Sequence, residues 1–175
     1  RHTEDEIKME MIFPTWKEAG ILTALIANHP YEEVAYDIIV LDNQNQQVGS
    51  GLVGELPEKL SETAFLSLLK EKFNLSVIRH TPLLGKWVSK IALCGGAGSF
   101  LIGAATASGA DFYITGDIKY HECFDANNRL VVADIGHYES EQYTIDLLFA
   151  FLSRKFPTFA VLKTGVKTNP VHYFL

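Results

Sequence analysis

From Val88 onward the sequence alternates short apolar runs with helix-like stretches, and that alternation constrains the fold more than any other feature. Strands are predicted at about 88–93, 111–114, 130–134 and 159–163, separated by helical patterns at about 99–108, 117–127 and 140–155. Such an order calls for parallel strands joined by helical crossovers, because parallel neighbours need a long return path. In an open parallel sheet, ligands bind beyond the carboxyl ends of the strands, where loops and helix N-termini converge.

The first third reads differently. Ile7 to Phe13 alternates apolar and charged residues, as a half-buried strand does. A helix from about Pro14 to Asn28 follows and stops at His29-Pro30. Val34 to Leu41 is a second expected strand, Asp42 to Gln47 a polar turn, and Gly49, Gly51 and Gly54 punctuate a third, irregular strand. This β-α-β-β order opens a ferredoxin-like α+β module. A further helix is expected from about Ser61 to Phe73, with Phe65, Leu68, Leu69 and Phe73 on one face, then a short strand from Leu75 to Arg79. The module either ends near Leu56 or closes near residue 80.

At 175 residues and 47% hydrophobic, the chain has material for one domain, or one and part of another. No apolar run approaches the roughly 20 residues of a membrane span, and no basic-then-apolar pattern is read in this stretch, so neither insertion nor secretion is expected from it. Cys94 and Cys123 form no CxxC pair, which argues against a disulfide scaffold and a cysteine-built zinc site. The expected location is cytoplasmic. Residues 1–55 hold three basic residues against ten acidic, whereas residues 56–175 hold twelve against eleven. No clustered Lys/Arg face emerges, so neither nucleic acid nor membrane is an expected partner.

Three sets of residues follow the central strands: Cys94-Gly95-Gly96-Ala97-Gly98-Ser99, Thr115-Gly116-Asp117 and Ile135-Gly136-His137. All three should share one sheet edge. The glycine run has neither the lysine of a P-loop nor GxGxxG spacing. Two readings stand for it: a tight strand-to-helix turn with Ser99 as N-cap, or contact with a phosphate or carboxylate. On the second, Gly95, Gly96, Gly98, Ser99, Thr115 and Asp117 bind a small anionic ligand. Asp117 is otherwise the cap of the helix beginning there.

His137 and Glu141 form an HxxxE pair, which lies on one face if the segment is helical. If Ser140 caps the helix instead, His137 sits in the loop and Glu141 in the first turn. Either arrangement can aim both at a divalent metal. The plainer alternative is a surface histidine beside a carboxylate that suits a helix N-terminus. His121 is a candidate general acid/base or a partly buried helix residue, and Asp134 a candidate acceptor behind His137. His29, His80 and His172 read as structural or surface residues, and Cys94 as core.

His29-Pro30-Tyr31-Glu32-Glu33-Val34-Ala35-Tyr36-Asp37, Gly95 to Ser99, Thr115 to His121 and Gly136 to Glu141 together resemble the Nif-three-like family, whose members are also labelled GTP cyclohydrolase 1 type 2 homologues. The resemblance spans about residues 7–175. It implies that residues 1–55 belong to a PII-like (CutA-like) insert and residues 56–175 to the carboxyl lobe of an α/β fold. It implies a dinuclear site shared between two lobes, of zinc or another first-row metal, with His137 and Glu141 as this lobe's ligands. The family's amino-terminal histidine pair and aspartate have no match here. The expectation is therefore the carboxyl half of a metal-dependent hydrolase-like protein, with weak or absent metal binding on this stretch alone. The resemblance also implies a homo-oligomer, a hexameric ring for the longer protein. The alternative function is a regulatory or scaffolding oligomer with a structural metal and a ligand-sensing insert.

Overall fold

A computed structural model describes residues 7–43 and 48–174. The chain divides into two compact units, residues 1–44 and 45–175. Within the first unit, Pro14 precedes a 3-10 turn at Thr15–Lys17, which leads into α1 at Glu18–Asn28. The helix stops where His29 turns extended, as the residue before Pro30 is disfavoured in helical geometry. The strands expected at 7–13 and 34–41 do not form. Both stretches lack regular secondary structure and pair in no ladder, and Ile7, Ile12 and Val40 are more than four-fifths exposed. Alternation prepares a strand, but only a hydrogen-bonded neighbour makes one. The described residues of this unit hold one helix and no strand, so the ferredoxin-like module expected here is not seen among them. Gln44 to Gln47 of the expected polar turn lie outside the described residues.

The second unit is built on one mixed sheet. Its strands are β1 (Leu52–Ser61), β2 (Arg79–His80), β3 (Trp87–Ala97), β4 (Phe112–Gly116) and β5 (Val131–Asp134), in the order β1-β3-β4-β5-β2. The middle is parallel, as the β-α alternation requires; both edge strands run antiparallel. The expected parallel pairing therefore holds for the three central strands, and both edges are antiparallel. β1 runs through position 55, with Leu52 to Glu55 paired to Leu93 to Lys90.

Period-two alternation sends successive side chains of the central strands to opposite faces. Phe112, Ile114, Val131 and Ala133 join Phe65 and Leu69 of α2 (Glu62–Lys72) in one core. Tyr113 and Val132 join Ile102 and Ala105 of α3 (Ile102–Ala107) in the other. Every residue of β4 and β5 is buried, as expected for strands covered on both faces. α2 starts at Ser61, whose hydroxyl accepts the Ala64 N–H at 3.2 Å. The buried Glu62 beside it is fully employed: its two oxygens accept the Leu84 and Gly85 N–H groups at 2.9 and 3.0 Å.

Several expected elements change. The stretch 117–127 is a 3-10 turn at Tyr120–Ala126, and 140–155 is two helices, α4 (His137–Glu141) and α5 (Thr144–Lys155). The 75–79 strand shrinks to Arg79–His80 and pairs with the β5 edge at Asp134 and Ala133. That edge is thereby filled, so residues 159–163, expected as a strand, have no ladder to join there and run irregularly. Among the described residues no helix is long and apolar enough to cross a membrane.

Candidate metal centre at the carboxyl edge of the sheet

The carboxyl ends of β3, β4 and β5 bring the three expected residue sets together. His137 opens α4, so His137 and Glu141 share one helical face. The imidazole Nε2 lies 3.2 Å from Glu141 Oε2, and Nδ1 lies 2.7 Å from Asp117 Oδ2. The Asp117 hydrogen bond, together with the Glu141 charge, holds the His137 pKa above the ordinary histidine value against a smaller opposing effect of burial. Asp117 is thus not a helix cap: it sits at φ 55°, and the following 3-10 turn begins only at Tyr120. Asp134 does not back His137 either. Its carboxylate accepts from Arg79 and the Ile118 N–H, both at 3.2 Å, and from the Gly136 N–H at 3.1 Å.

The glycine rim is engaged inward. Gly96 takes φ +66°, and a Cβ there would lie 2.5 Å from Glu141 Oε1 and 3.3 Å from His137 Cε1. Glycine is required because the pair sits directly over the backbone. The Gly96 N–H donates to Ser140 Oγ at 2.8 Å, and its carbonyl accepts from the buried Thr115 hydroxyl at 3.0 Å. The Gly98 carbonyl accepts the Tyr113 hydroxyl at 2.7 Å. Ser99 is not an N-cap: it begins a 3-10 turn, and its hydroxyl donates to Glu122 at 2.9 Å. With the Lys119 N–H as the larger influence, this holds the Glu122 pKa below the usual carboxylate range. Gly95 packs 3.4 Å, measured from a built Cβ, from Glu141 Cγ. Gly96, Ser99 and Thr115 thus each make hydrogen bonds within the chain.

His121 is exposed on its 3-10 turn, edge-on to Tyr120, and does not line the cavity next to His137. That cavity, of about 760 Å³, is walled by Arg79, Gln142, Ile145, Asn169 and Tyr173 besides the pair itself. Asn169 Nδ2 donates to Glu139 Oε1 at 3.3 Å. Sequence patterning missed the Asp117–His137 contact and every wall residue from 168 to 173. Each depends on pairing across the fold, which leaves no local signal.

The donor set fits part of a metal site. Asp117 occupies Nδ1, leaving Nε2 and the Glu141 carboxylate facing each other, the usual arrangement of a metal-binding imidazole oriented by a carboxylate. Asp117 and Glu141 meet different ring nitrogens, so only Glu141 shares the Nε2 side of the imidazole. Consistently, among the described residues no cluster of three or more His, Cys, Asp or Glu could hold a metal.

The family model described as Duf34/NIF3 (NGG1p interacting factor 3) matches residues 5–170. The chain belongs to this family. NIF3 relatives bear the name "GTP cyclohydrolase 1 type 2 homolog". One from Listeria innocua is 42% identical over 133 residues, covering 75% of this chain and 36% of the relative. One from Staphylococcus epidermidis is 30% identical over 173 residues, covering 97% and 47%. The crystal structure of a Bacillus cereus protein related to NIF3 superimposes with a TM-score of 0.73 at 31% identity, covering 93% of this chain and 46% of that one. The chain thus spans less than half the length of these NIF3 relatives.

Proposed function

We propose that this chain carries one share of a divided divalent-metal centre in a GTP cyclohydrolase-like hydrolase, with His137 Nε2 and Glu141 as its ligands. One observation carries the reading: the Nε2–Glu141 contact at 3.2 Å, with Nδ1 already taken by Asp117 at 2.7 Å. Zinc and its neighbours take about four ligands, so the remaining donors come from outside the described residues. A divalent cation held there would supply Lewis acidity for hydrolysis. The chain's own residues do the rest of the work. Asp117 fixes the imidazole tautomer and ring plane, Gly96 leaves room for the Glu141 carboxylate, and the adjoining cavity receives the substrate. The name borne by the relatives directs that substrate to a purine nucleotide, attacked at its imidazole ring. In this reading the part of residues 1–55 that precedes β1 belongs to a PII-like insert, and the protein assembles with copies of itself.

The test is a cobalt(II) or zinc titration of this chain, and of a longer protein containing it, followed by elemental analysis. The longer protein should hold about two metals per chain, as in two-metal hydrolases, and this chain well under one. His137→Ala should abolish both metal and turnover. Unchanged metal content in His137→Ala would sink the assignment.

A second reading is favoured by the position of His121, outside the cavity and so away from any reacting group there. In it the metal is structural and the oligomer regulatory. Metal loss without loss of any cellular phenotype in His137→Ala would show that catalysis at this site is not the function, and deletion of the insert should then abolish partner or ligand binding with metal content unchanged.

A further inference from the structure

The last stretch of the chain makes one wall of the cavity although it has no regular secondary structure: Thr168, Asn169, Pro170, Val171 and Tyr173 all line it. Apolar burial does not hold it there, since Val171 is 52% and Tyr173 41% exposed. Its attachment is polar. Asn169 uses both ends of its amide: Oδ1 accepts the Val171 N–H at 3.0 Å, closing a turn around Pro170, and Nδ2 donates to Glu139 at 3.3 Å. Upstream, Lys163 pairs with Asp146 of α5.

Glu139 is the centre of this attachment. Its carboxylate folds back over Gly136, whose φ of +95° no other residue would readily adopt. A Cβ at Gly136 would strike that carboxylate and lie 3.1 Å from the Tyr173 hydroxyl. Tyr173 and Glu139 therefore meet over the same glycine. Burial first, and then the Glu139 charge, raise the Tyr173 pKa, as expected for a phenol packed against a carboxylate. Glu139 stands in the five-residue α4 between His137 and Glu141. A helix this short has little cohesion of its own, so its orientation depends on what grips it from outside.

We propose that residues 168–173 are a strap that sets the position of α4 through Glu139, which makes Asn169 and Tyr173 positioning residues for the His137–Glu141 pair. The proposal deepens the metal reading of the same site and rests on it only for the cobalt arm of the test. The variants are Asn169→Ala and Tyr173→Phe, with Glu139→Ala and Glu139→Gln as a matched pair. Amide hydrogen exchange should quicken about tenfold in residues 168–174 and in 137–141 together, the size expected for losing a hydrogen bond to a charged group, while β4 stays protected. Cobalt(II) affinity of the longer protein should fall by a similar factor. Glu139→Gln keeps an acceptor for Asn169 and should recover much of what Glu139→Ala loses. If the variants free 168–174 while exchange in 137–141 and cobalt affinity stay as in the parent chain, the strap is only a wall and the proposal fails. If the parent chain and the longer protein bind no cobalt, the metal reading falls, and exchange in 137–141 alone decides the strap.

Discussion

Asp117 Oδ2 lies 2.7 Å from His137 Nδ1, a contact between residues 20 apart in sequence that fixes which imidazole nitrogen faces Glu141. It joins the end of β4 to the start of α4, and both side chains are about half exposed. Such a bond contributes little to stability in solvent. Its consequence is orientation: with Nδ1 committed, only Nε2 is available to a ligand.

Replacing Asp117 with Asn should therefore lower the His137 pKa, because the hydrogen bond to Asp117 is the leading cause of its upward shift. The folded imidazole holds its proton more tightly than an unfolded one. Its support of the fold is thus complete below the ordinary histidine value of about 6.5 and disappears as pH rises through the folded value. NMR titration of the His137 Cε1 proton in parent and Asp117→Asn chains checks the direction. In the longer protein, metal affinity should fall about tenfold or more with this substitution, as when other outer partners of metal-binding histidines are removed. An unmoved titration curve would mean that the contact does not persist in solution.

Gly96→Ala should damage the site more than its size suggests. The new methyl would lie 2.5 Å from Glu141 Oε1, at a φ of +66°. The backbone cost alone is about 1–2 kcal/mol, and Glu141 must also move away from His137. Thermal unfolding should report the first effect and cobalt(II) titration the second, as a loss of at least about tenfold. Parent-like cobalt binding would show that the rim tolerates a side chain and that the close approach is not needed.

Tyr113 gives a prediction independent of any metal. It is 1% exposed, its hydroxyl donates to Gly98, and burial pushes its pKa up to about 12. The unfolded chain gives up this proton near pH 10 and the folded chain does not, so the contribution present below pH 10 is lost as pH rises toward about 12. The loss is on the order of 2–3 kcal/mol. Tyr113→Phe should cost about 1 kcal/mol at neutral pH through the Gly98 carbonyl left without its donor, yet escape the alkaline loss. Urea unfolding of both chains at neutral pH and near the raised pKa should show the stability gap closing or reversing. Parallel curves would mean that Tyr113 ionises freely in the folded state.

What the residues settled by themselves was local: α1 and α2 and the strands at the centre of the sheet; the HxxxE pair was readable as a motif, and the structure places it on one helical turn. These follow from periodicity, caps and prolines acting over a few residues. The tertiary structure decided everything that needed a partner. The alternating stretch 7–13 and the apolar run 159–163 carry strand patterns, but no neighbouring strand pairs with them among the described residues. Asp117 and Ser99 are good helix caps by composition, yet their oxygens meet His137 and Glu122 across the sheet edge. Gly96, one of the glycines of the rim, makes space for Glu141 and bonds with Thr115 and Ser140, contacts that no local pattern encodes. Propensity ranks what a side chain can do within its own turn of chain; which groups face one another, and so which atoms remain free for chemistry, is set only when distant segments pack.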